Sequence, residues 1–222
     1  MHLSFLCMEV VAHFKNRQDA GEKLAAQLKS LALEKPYVFA LPRGGVPTAA
    51  PIAKAFETQI DILIVKNIKA PDQPDVVIGA IAEEGPPLWL NFQLKNLKIE
   101  EEDRDRSLVK AQKSLARQRR LWKTDSHVTN IREQTVILVD DGSSIGTTAL
   151  AAVKFLRSRK PARIILAVPV ASQESLDKVQ SLFDQVICLQ VIDPTQKVDS
   201  FYQDFSRVTD REVFDHLNME NS

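Results

Sequence analysis

Two adjacent carboxylates, Asp140 and Asp141, follow the apolar run Val136-Ile137-Leu138-Val139 and lead into Gly142-Ser143-Ser144-Ile145-Gly146-Thr147-Thr148. These residue types in this order suit a ligand that carries both neighbouring hydroxyls and a phosphate. Carboxylates accept hydrogen bonds from paired alcohols. The glycines permit a tight turn and close backbone approach, and the hydroxyls of Ser143, Ser144, Thr147 and Thr148 can donate to phosphate oxygens. Leu150, Val153 and Leu156 continue with helical spacing, which predicts a helix over 149–157. Its first N–H groups then face the loop, where an anion is favoured. A ribose 5-phosphate is the simplest molecule that meets both halves. Taken alone, an Asp pair is more often a strand cap or a loop-bracing acid, and a Ser/Thr loop an ordinary helix N-cap; the flanking context reverses that reading here. Neither GxxxxGK[ST] nor GxGxxG occurs in the chain.

The acids must be held at the carboxyl end of a buried strand, where open α/β sheets bind ligands. A second loop of interest, Leu41-Pro42-Arg43-Gly44-Gly45-Val46-Pro47, joins a strand over 37–41 to a helix over 46–56, with Pro47 in its first turn. Before it, Ala20, Leu24, Leu28 and Leu31 fall on one face of a helix over 17–33 that ends at Pro36. A strand over 60–65 follows, then a proline- and lysine-containing stretch, Lys66 to Pro74, which reads as a loop. Val76 to Ala82 is again a strand, ended by Glu83-Glu84-Gly85-Pro86-Pro87. Trp89 and Phe92 read as a packing pair. Residues 98–123 lack Gly and Pro and repeat Leu108, Leu115 and Trp122 every seven residues. That predicts a long helix laid over the domain or paired with another chain, with Arg117 to Arg120 as a solvated face. Strands over 163–168 and 186–191 flank a helix over 173–183, and the capping box Thr209-Asp210-Arg211-Glu212 starts a final helix. The alternation predicts a doubly wound, mostly parallel α/β sheet. It forms a single domain over 1–222, with a helical insertion over 86–132 acting as a hood.

Composition narrows the partners. The chain has 222 residues, 44% hydrophobic and 26% charged, with Lys+Arg and Asp+Glu both at 29. That is enough for one sizeable core. The charge balance gives no reason to expect nucleic acid or an anionic membrane as partner, and no apolar run approaches a membrane span. Small molecules are the expected partners, with self-association left open. Cys7 and Cys188 have no metal-ligand spacing and read as reduced thiols of a cytoplasmic protein, Cys188 in the core. His2, His13, His127 and His216 are scattered, so no protein-held metal site is expected. No Lys or Arg precedes Lys15, so a secretory signal is not expected. Met8 is an alternative start, and the residues before it read as a disordered extension.

The 136–148 stretch resembles the phosphoribosyl-diphosphate (PRPP) motif of the type I phosphoribosyltransferases: a hydrophobic run, two acids, a short loop, then Thr-Gly-x-Thr. Leu41 to Pro47 resembles the pyrophosphate loop of a less characterised bacterial branch of that family. Lys66 to Gly85 is similar to its flexible loop region, with Ala-Pro, Asp-x-x-Ile-Gly-Ala and a closing Ala-Glu-x-Gly. Phe14 to Leu28 (Phe-x-x-Arg-x-x-Ala-Gly-x-x-Leu-Ala) and Tyr202-Gln203-Asp204-Phe205 fit the same branch. The resemblance covers nearly the whole chain, from about Met8 to Leu217.

The resemblance implies roles. Asp140 and Asp141 would hold the ribose 2- and 3-hydroxyls, and Gly142, Ser143, Ser144, Gly146, Thr147 and Thr148 the 5-phosphate. Arg43, Gly44 and Gly45 would bind pyrophosphate, and Lys66 and Lys69 would close over it on a mobile loop. Catalysis would fall to Asp140, Asp141, Arg43 and Lys66. Mg²⁺ would bind mainly through PRPP rather than a protein cage. Two departures stand out. Ile145 occupies the position of the motif's usual Thr, which removes one phosphate hydroxyl. Lys66-Asn67 replaces the usual Arg-Lys, and a lysine cannot reproduce a bidentate guanidinium clamp. The expected activity is transfer of ribose 5-phosphate from PRPP to an unidentified acceptor, such as a nucleobase, with release of pyrophosphate. The alternatives are a catalytically weak regulator that senses PRPP or a nucleotide on the same scaffold, and an unrelated α/β phosphatase or kinase-like protein.

Overall fold

Runs of β-branched and aliphatic residues without charge form buried parallel strands, and this chain has five that pair into one sheet. In a computed structural model, which describes residues 13–122, 130–142, 146–193 and 195–219, they are β1 (Tyr37–Ala40), β2 (Ile60–Ile62), β6 (Thr135–Val139), β7 (Arg163–Ser172) and β8 (Gln185–Ile192). Their order is β2-β1-β6-β7-β8, and every pairing is parallel. Strand β6 shows why both faces must be covered. Val136 and Leu138 enter one core, Ile137 and Val139 the other, as the two-residue side-chain period requires.

Helices α1 (Arg17–Lys29) and α2 (Gly45–Ala55) cover the face that holds Ile137 and Val139. Helices α5 (Thr147–Ser158) and α6 (Gln173–Val179) cover the other. The doubly wound, mostly parallel sheet expected from the alternation is present. Cys188 lies in the second core, 1% exposed. The capping box forms as read: Glu212 N–H donates to Thr209 Oγ1 at 3.2 Å and Thr209 N–H to Glu212 Oε2 at 2.6 Å, opening α7 (Asp210–Met219).

Several expectations are corrected. The stretch from Lys66 to Pro74 is not all loop. Residues Val65–Lys69 form β3, which pairs antiparallel with β4 (Val77–Ala82), and β4 pairs with β5 (Leu88–Trp89) in a second sheet. Ile68 is fully buried between exposed neighbours, and the Ala70 N–H to Val76 O bond at 2.9 Å closes the hairpin. The strand continues the apolar run that begins at Ile60, interrupted only over 63–64. Within 86–132, β5 is followed by α3 (Asn91–Asn96) and α4 (Glu101–Trp122). Trp89 is partly buried, but Phe92 is 73% exposed on α3, a helix that buries none of its side chains. Helix α4 buries Ser107, Ala111, Leu115 and Trp122, with Leu108 partly buried beside them. Its cluster from Arg117 to Arg120 is only half solvated. Arg119 Nε lies 3.8 Å from Glu83 Oε2, and Gln118 turns to the cleft described below. The expectations for Cys7, Met8, His2 and His127 lie outside the described residues.

Candidate active site

The order β2-β1-β6-β7-β8 reverses direction between β1 and β6, and the crevice of such a sheet opens beyond the carboxyl ends of those strands. Both candidate loops leave the sheet there. The chain turns from β1 through Leu41, whose N–H donates to Val139 O at 2.9 Å, and enters α2 with Gly44 as N-cap. The Pro42–Arg43 peptide is cis. From β6 it passes Asp140, whose N–H donates to Ala167 O at 3.3 Å, and Asp141. It turns at Gly142 with φ +98° and enters α5 after Gly146 with φ +144°.

Close packing explains two of the glycines. A Cβ at Gly44 would sit 1.7 Å from Asp141 Oδ2, and one at Gly142 2.3 Å from Val170 O. The first of these contacts presses the loop from Leu41 to Gly45 directly onto the second acid. Asp140 and Asp141 are each 2% exposed. Asp141 Oδ2 accepts from Arg17 Nε at 2.8 Å, and its backbone carbonyl accepts from the Tyr202 hydroxyl at 3.0 Å. Burial, reinforced by the Asp141 charge, pushes the Tyr202 hydroxyl far above its ordinary value, so it stays a donor. Arg17 also donates from Nη1 to Ser206 O at 2.8 Å and lies over the Phe205 ring, 3.8 Å from its centroid. The extended segment around Tyr202 pairs with Phe14, which fixes this support against the start of α1.

Beside Asp141 opens a cleft of about 370 Å³, lined among the described residues by Arg17, Pro42, Arg43, Gly44, Lys66, Gln118, Asp141, Arg207 and Val208. Four cations and one buried acid at the mouth of two loops give the cleft a positive lining that suits an anion. The Arg43 guanidinium is engaged in two bonds to Asp210, Nε to Oδ1 at 2.8 Å and Nη2 to Oδ2 at 3.1 Å, and Trp122 Nε1 donates to the same Oδ1 at 3.2 Å. Burial holds the Lys66 ammonium below its usual range. The Arg43 charge adds to that shift, and Asp210 opposes it.

Of the residues singled out from sequence, the structure brings Arg43, Gly44, Lys66 and Asp141 to the cleft. Gly45 is buried in the first turn of α2, and Lys69 is exposed on β3, away from the cleft lining. Gly142 and Gly146 shape the turn into α5. Thr147 and Thr148 begin that helix, with Thr148 Oγ1 3.4 Å from Asn67 Oδ1. Ser143, Ser144 and Ile145 lie outside the described residues. Sequence reasoning missed Arg17, Gln118, Arg207 and Asp210. Arg17 had a signal, as the arginine of Phe-x-x-Arg. Asp210 was read only as part of a cap.

Among the described residues no group of three or more His, Cys, Asp or Glu could hold a metal ion. The site's carboxylates are hard oxygen donors that suit Mg²⁺, but Asp141 already serves Arg17. The donor set fits an ion bound largely by ligand oxygens. Among the described residues no helix is long and apolar enough to cross a membrane.

Comparison with known proteins is consistent along nearly the whole chain. The family profile described as "Phosphoribosyl transferase domain" matches residues 10–207. A Mycobacterium tuberculosis protein named "Putative phosphoribosyl transferase Rv0571c" is 29% identical over 205 residues, 92% of this chain and 46% of that protein. The chain thus spans about half the length of the curated relatives it matches. The crystal structure of TT1426 from Thermus thermophilus superposes with a TM-score of 0.78 at 30% identity, covering 92% of this chain and 97% of that one. A hypothetical protein from Neisseria gonorrhoeae, solved with bound ppGpp, shares the fold alone. It has a TM-score of 0.51 at 11% identity and covers 98% of this chain and 99% of the other.

Proposed function

The chain belongs to the phosphoribosyl transferase domain family, and we propose on that premise that it is a cytoplasmic phosphoribosyltransferase. It would bind PRPP with Mg²⁺, transfer ribose 5-phosphate to an acceptor such as a nucleobase, and release pyrophosphate. The observation that carries this reading is the juxtaposition at the switch point. Asp141 packs against Gly44 beside a cleft that also holds Arg17, Arg43, Lys66 and Arg207. A pentose with its alcohols at the acids would direct its anomeric leaving group to those cations.

The chemistry follows from charge. As the bond from C1 to the diphosphate oxygen breaks, positive charge develops on the sugar and negative charge on the leaving group. Arg43 and Lys66, aimed at the latter, stabilise the transition state more than the ground state. Asp140 and Asp141 would fix the sugar by its hydroxyls. The turn from Gly142 to Thr148 would hold the 5-phosphate at the start of α5. Mg²⁺, held at the oxygens of PRPP beside Asp140 and Asp141, would neutralise part of the leaving group's charge. We place the acceptor beneath the 86–132 hood, from which α4 contributes Gln118 to the cleft lining.

One observation favours the regulator reading. Arg43 is committed to Asp210 and must leave it to serve a leaving group. A panel of free bases incubated with PRPP and Mg²⁺, read by pyrophosphate release, separates the two readings. Release with one acceptor supports transfer. Mg²⁺-dependent PRPP binding without release on any base supports a sensor, and absence of PRPP, nucleotide and phosphate binding removes both.

A further inference from the structure

Among the described residues four cations line the cleft beside Asp141, and they differ in what already holds them. Arg17 donates from Nε to Asp141 and from Nη1 to the Ser206 carbonyl. Arg43 donates from Nε and Nη2 to the two carboxylate oxygens of Asp210. Lys66 presents one ammonium, a point charge that cannot hold two oxygens in a planar fork. Arg207 has no hydrogen-bond or ion-pair partner among the described residues, and it is exposed at the cleft wall.

An exposed arginine is usually only a solvated one, but the chain around Arg207 is fixed on both sides. Before it, Gln203 N–H donates to Phe14 O at 2.8 Å and Asp204 N–H to Lys15 O at 2.9 Å. Ser206 N–H donates to Asp204 Oδ1 at 2.9 Å, and Ser206 O accepts from Arg17. After it, Val208 is buried in the core and Thr209 opens α7 through its capping box. Arg207 therefore projects from an ordered backbone, and binding would cost it little beyond side-chain freedom. The neighbouring carboxylates of Asp141 and Asp210 are paired with Arg17 and Arg43. The charge at Arg207 is the one in the lining that meets no acid among the described residues and can still present a fork.

We propose that Arg207 is a ligand-binding residue of this cleft, whose guanidinium takes two oxygens of a diphosphate side by side. The proposal rests on the transferase reading above and extends it to a residue outside both loops. Phosphate oxygens match the guanidinium fork, and two parallel charge-assisted bonds hold more firmly than one. Contact at Arg207 displaces only water, whereas contact at Arg43 first requires Asp210 to yield. Arg207 thus gives the initial hold, and exchange at Arg43 follows it.

Titration calorimetry of the full chain with pyrophosphate, and separately with ribose 5-phosphate, each with Mg²⁺, tests this. Arg207→Gln and Arg207→Lys should both weaken pyrophosphate binding by about tenfold or more, because lysine keeps the charge but not the fork. Ribose 5-phosphate affinity should be unchanged, since the same reading seats its phosphate at the start of α5. Both variants should melt close to the native chain, as Arg207 has no internal partner to lose. Arg211→Gln removes a nearby cation that is 90% exposed and paired with Asp215, and it should leave pyrophosphate binding unchanged. If the native chain binds pyrophosphate and Arg207→Gln binds it as tightly, the proposal falls while the transferase reading stands. Native affinity in Arg207→Lys also overturns it, because a point charge would then suffice. So does a loss shared equally by ribose 5-phosphate or by Arg211→Gln, which would mark a general effect of charge or folding. A native chain that binds neither PRPP nor pyrophosphate removes the transferase reading and this proposal with it.

Discussion

Replacing Arg17 with Met removes the guanidinium while keeping most of the stem, and it isolates the contact on which the site's acid depends. The side chains of Arg17 and Asp141 are 11% and 3% exposed, with Nε and Oδ2 2.8 Å apart. Removing one partner of a buried pair costs about 3–5 kcal/mol, because the remaining charge is stranded. Asp141 borders the cleft, where water can relieve it, so the lower end applies, about 3 kcal/mol. For a domain of this size, that lowers Tm by about 6–12 °C. Asp141→Asn strands Arg17 instead. Arg17 is the more exposed partner, so its loss should be about 2 kcal/mol. The double variant strands neither charge and should lose about 3 kcal/mol rather than about 5, a coupling of about 2 kcal/mol. Urea unfolding of the four forms of this cycle measures each value. A loss below about 1 kcal/mol for Arg17→Met, the range of an exposed pair, would refute the reasoning. Losses that add within about 0.5 kcal/mol would do the same.

The same contacts give three further expectations. Gly44→Ala places a methyl 1.7 Å from Asp141 Oδ2, so Asp141 must leave Arg17. The variant should lose about 3 kcal/mol in urea unfolding, and PRPP binding with it, whereas Gly85→Ala, strained at a φ of +91° but with nothing within 4 Å, should lose stability and keep PRPP binding. Arg43→Ala should keep the melting temperature within a few degrees and lower turnover by more than about tenfold. Unchanged steady-state rates with the best acceptor would contradict its role at the leaving group. Lys66 is held below its ordinary value of 10.5, first by burial and then by Arg43. Between that lowered value and 10.5 the unfolded chain binds more protons at this residue, so its contribution to stability rises with pH there. Pyrophosphate affinity should fall over the same window as the charge is lost. Calorimetric titrations across it should show that decline in the native chain and not in Lys66→Met.

The parts of the fold that were readable in the sequence are those where one local rule decides. The uncharged run before Asp140 could only be a buried strand, and the glycines after it only a turn. The Thr209–Glu212 box marked its helix because both of its bonds are local. Strand β3 was hidden because its lysines and following prolines outweigh a single buried Ile68, and its partner lies beyond the turn. Phe92 misled because an aromatic residue suggests a core, while its two-turn helix meets the core only through Leu94 and leaves Phe92 in solvent. The acids and the Arg43 loop could be named from their own residues. The groups that hold them could not. Arg17 and Asp141 are 124 residues apart, and Arg43 and Asp210 are 167. Nothing in either neighbourhood specifies the other.

Those distant partners change what the cleft is before a ligand arrives. Four cations at one site repel one another, and two carboxylates offset this in different ways. Asp141 is buried beneath Arg17 and packs against the Cβ-less backbone of Gly44. Asp210 holds Arg43 from an exposed helix start, with side chains 34% and 28% exposed. Both pairs have good geometry, but the second is about a third exposed, so water or a ligand can replace it at lower cost than in the first. The first pair therefore belongs to the folded scaffold and the second is exchangeable. On the proposed reading, a diphosphate must replace only the Asp210 carboxylate at Arg43. A doubly phosphorylated leaving group, with more charge than one carboxylate, can do so where a neutral or singly charged ligand cannot. The cleft then selects by the charge that its own acid forces a ligand to exceed.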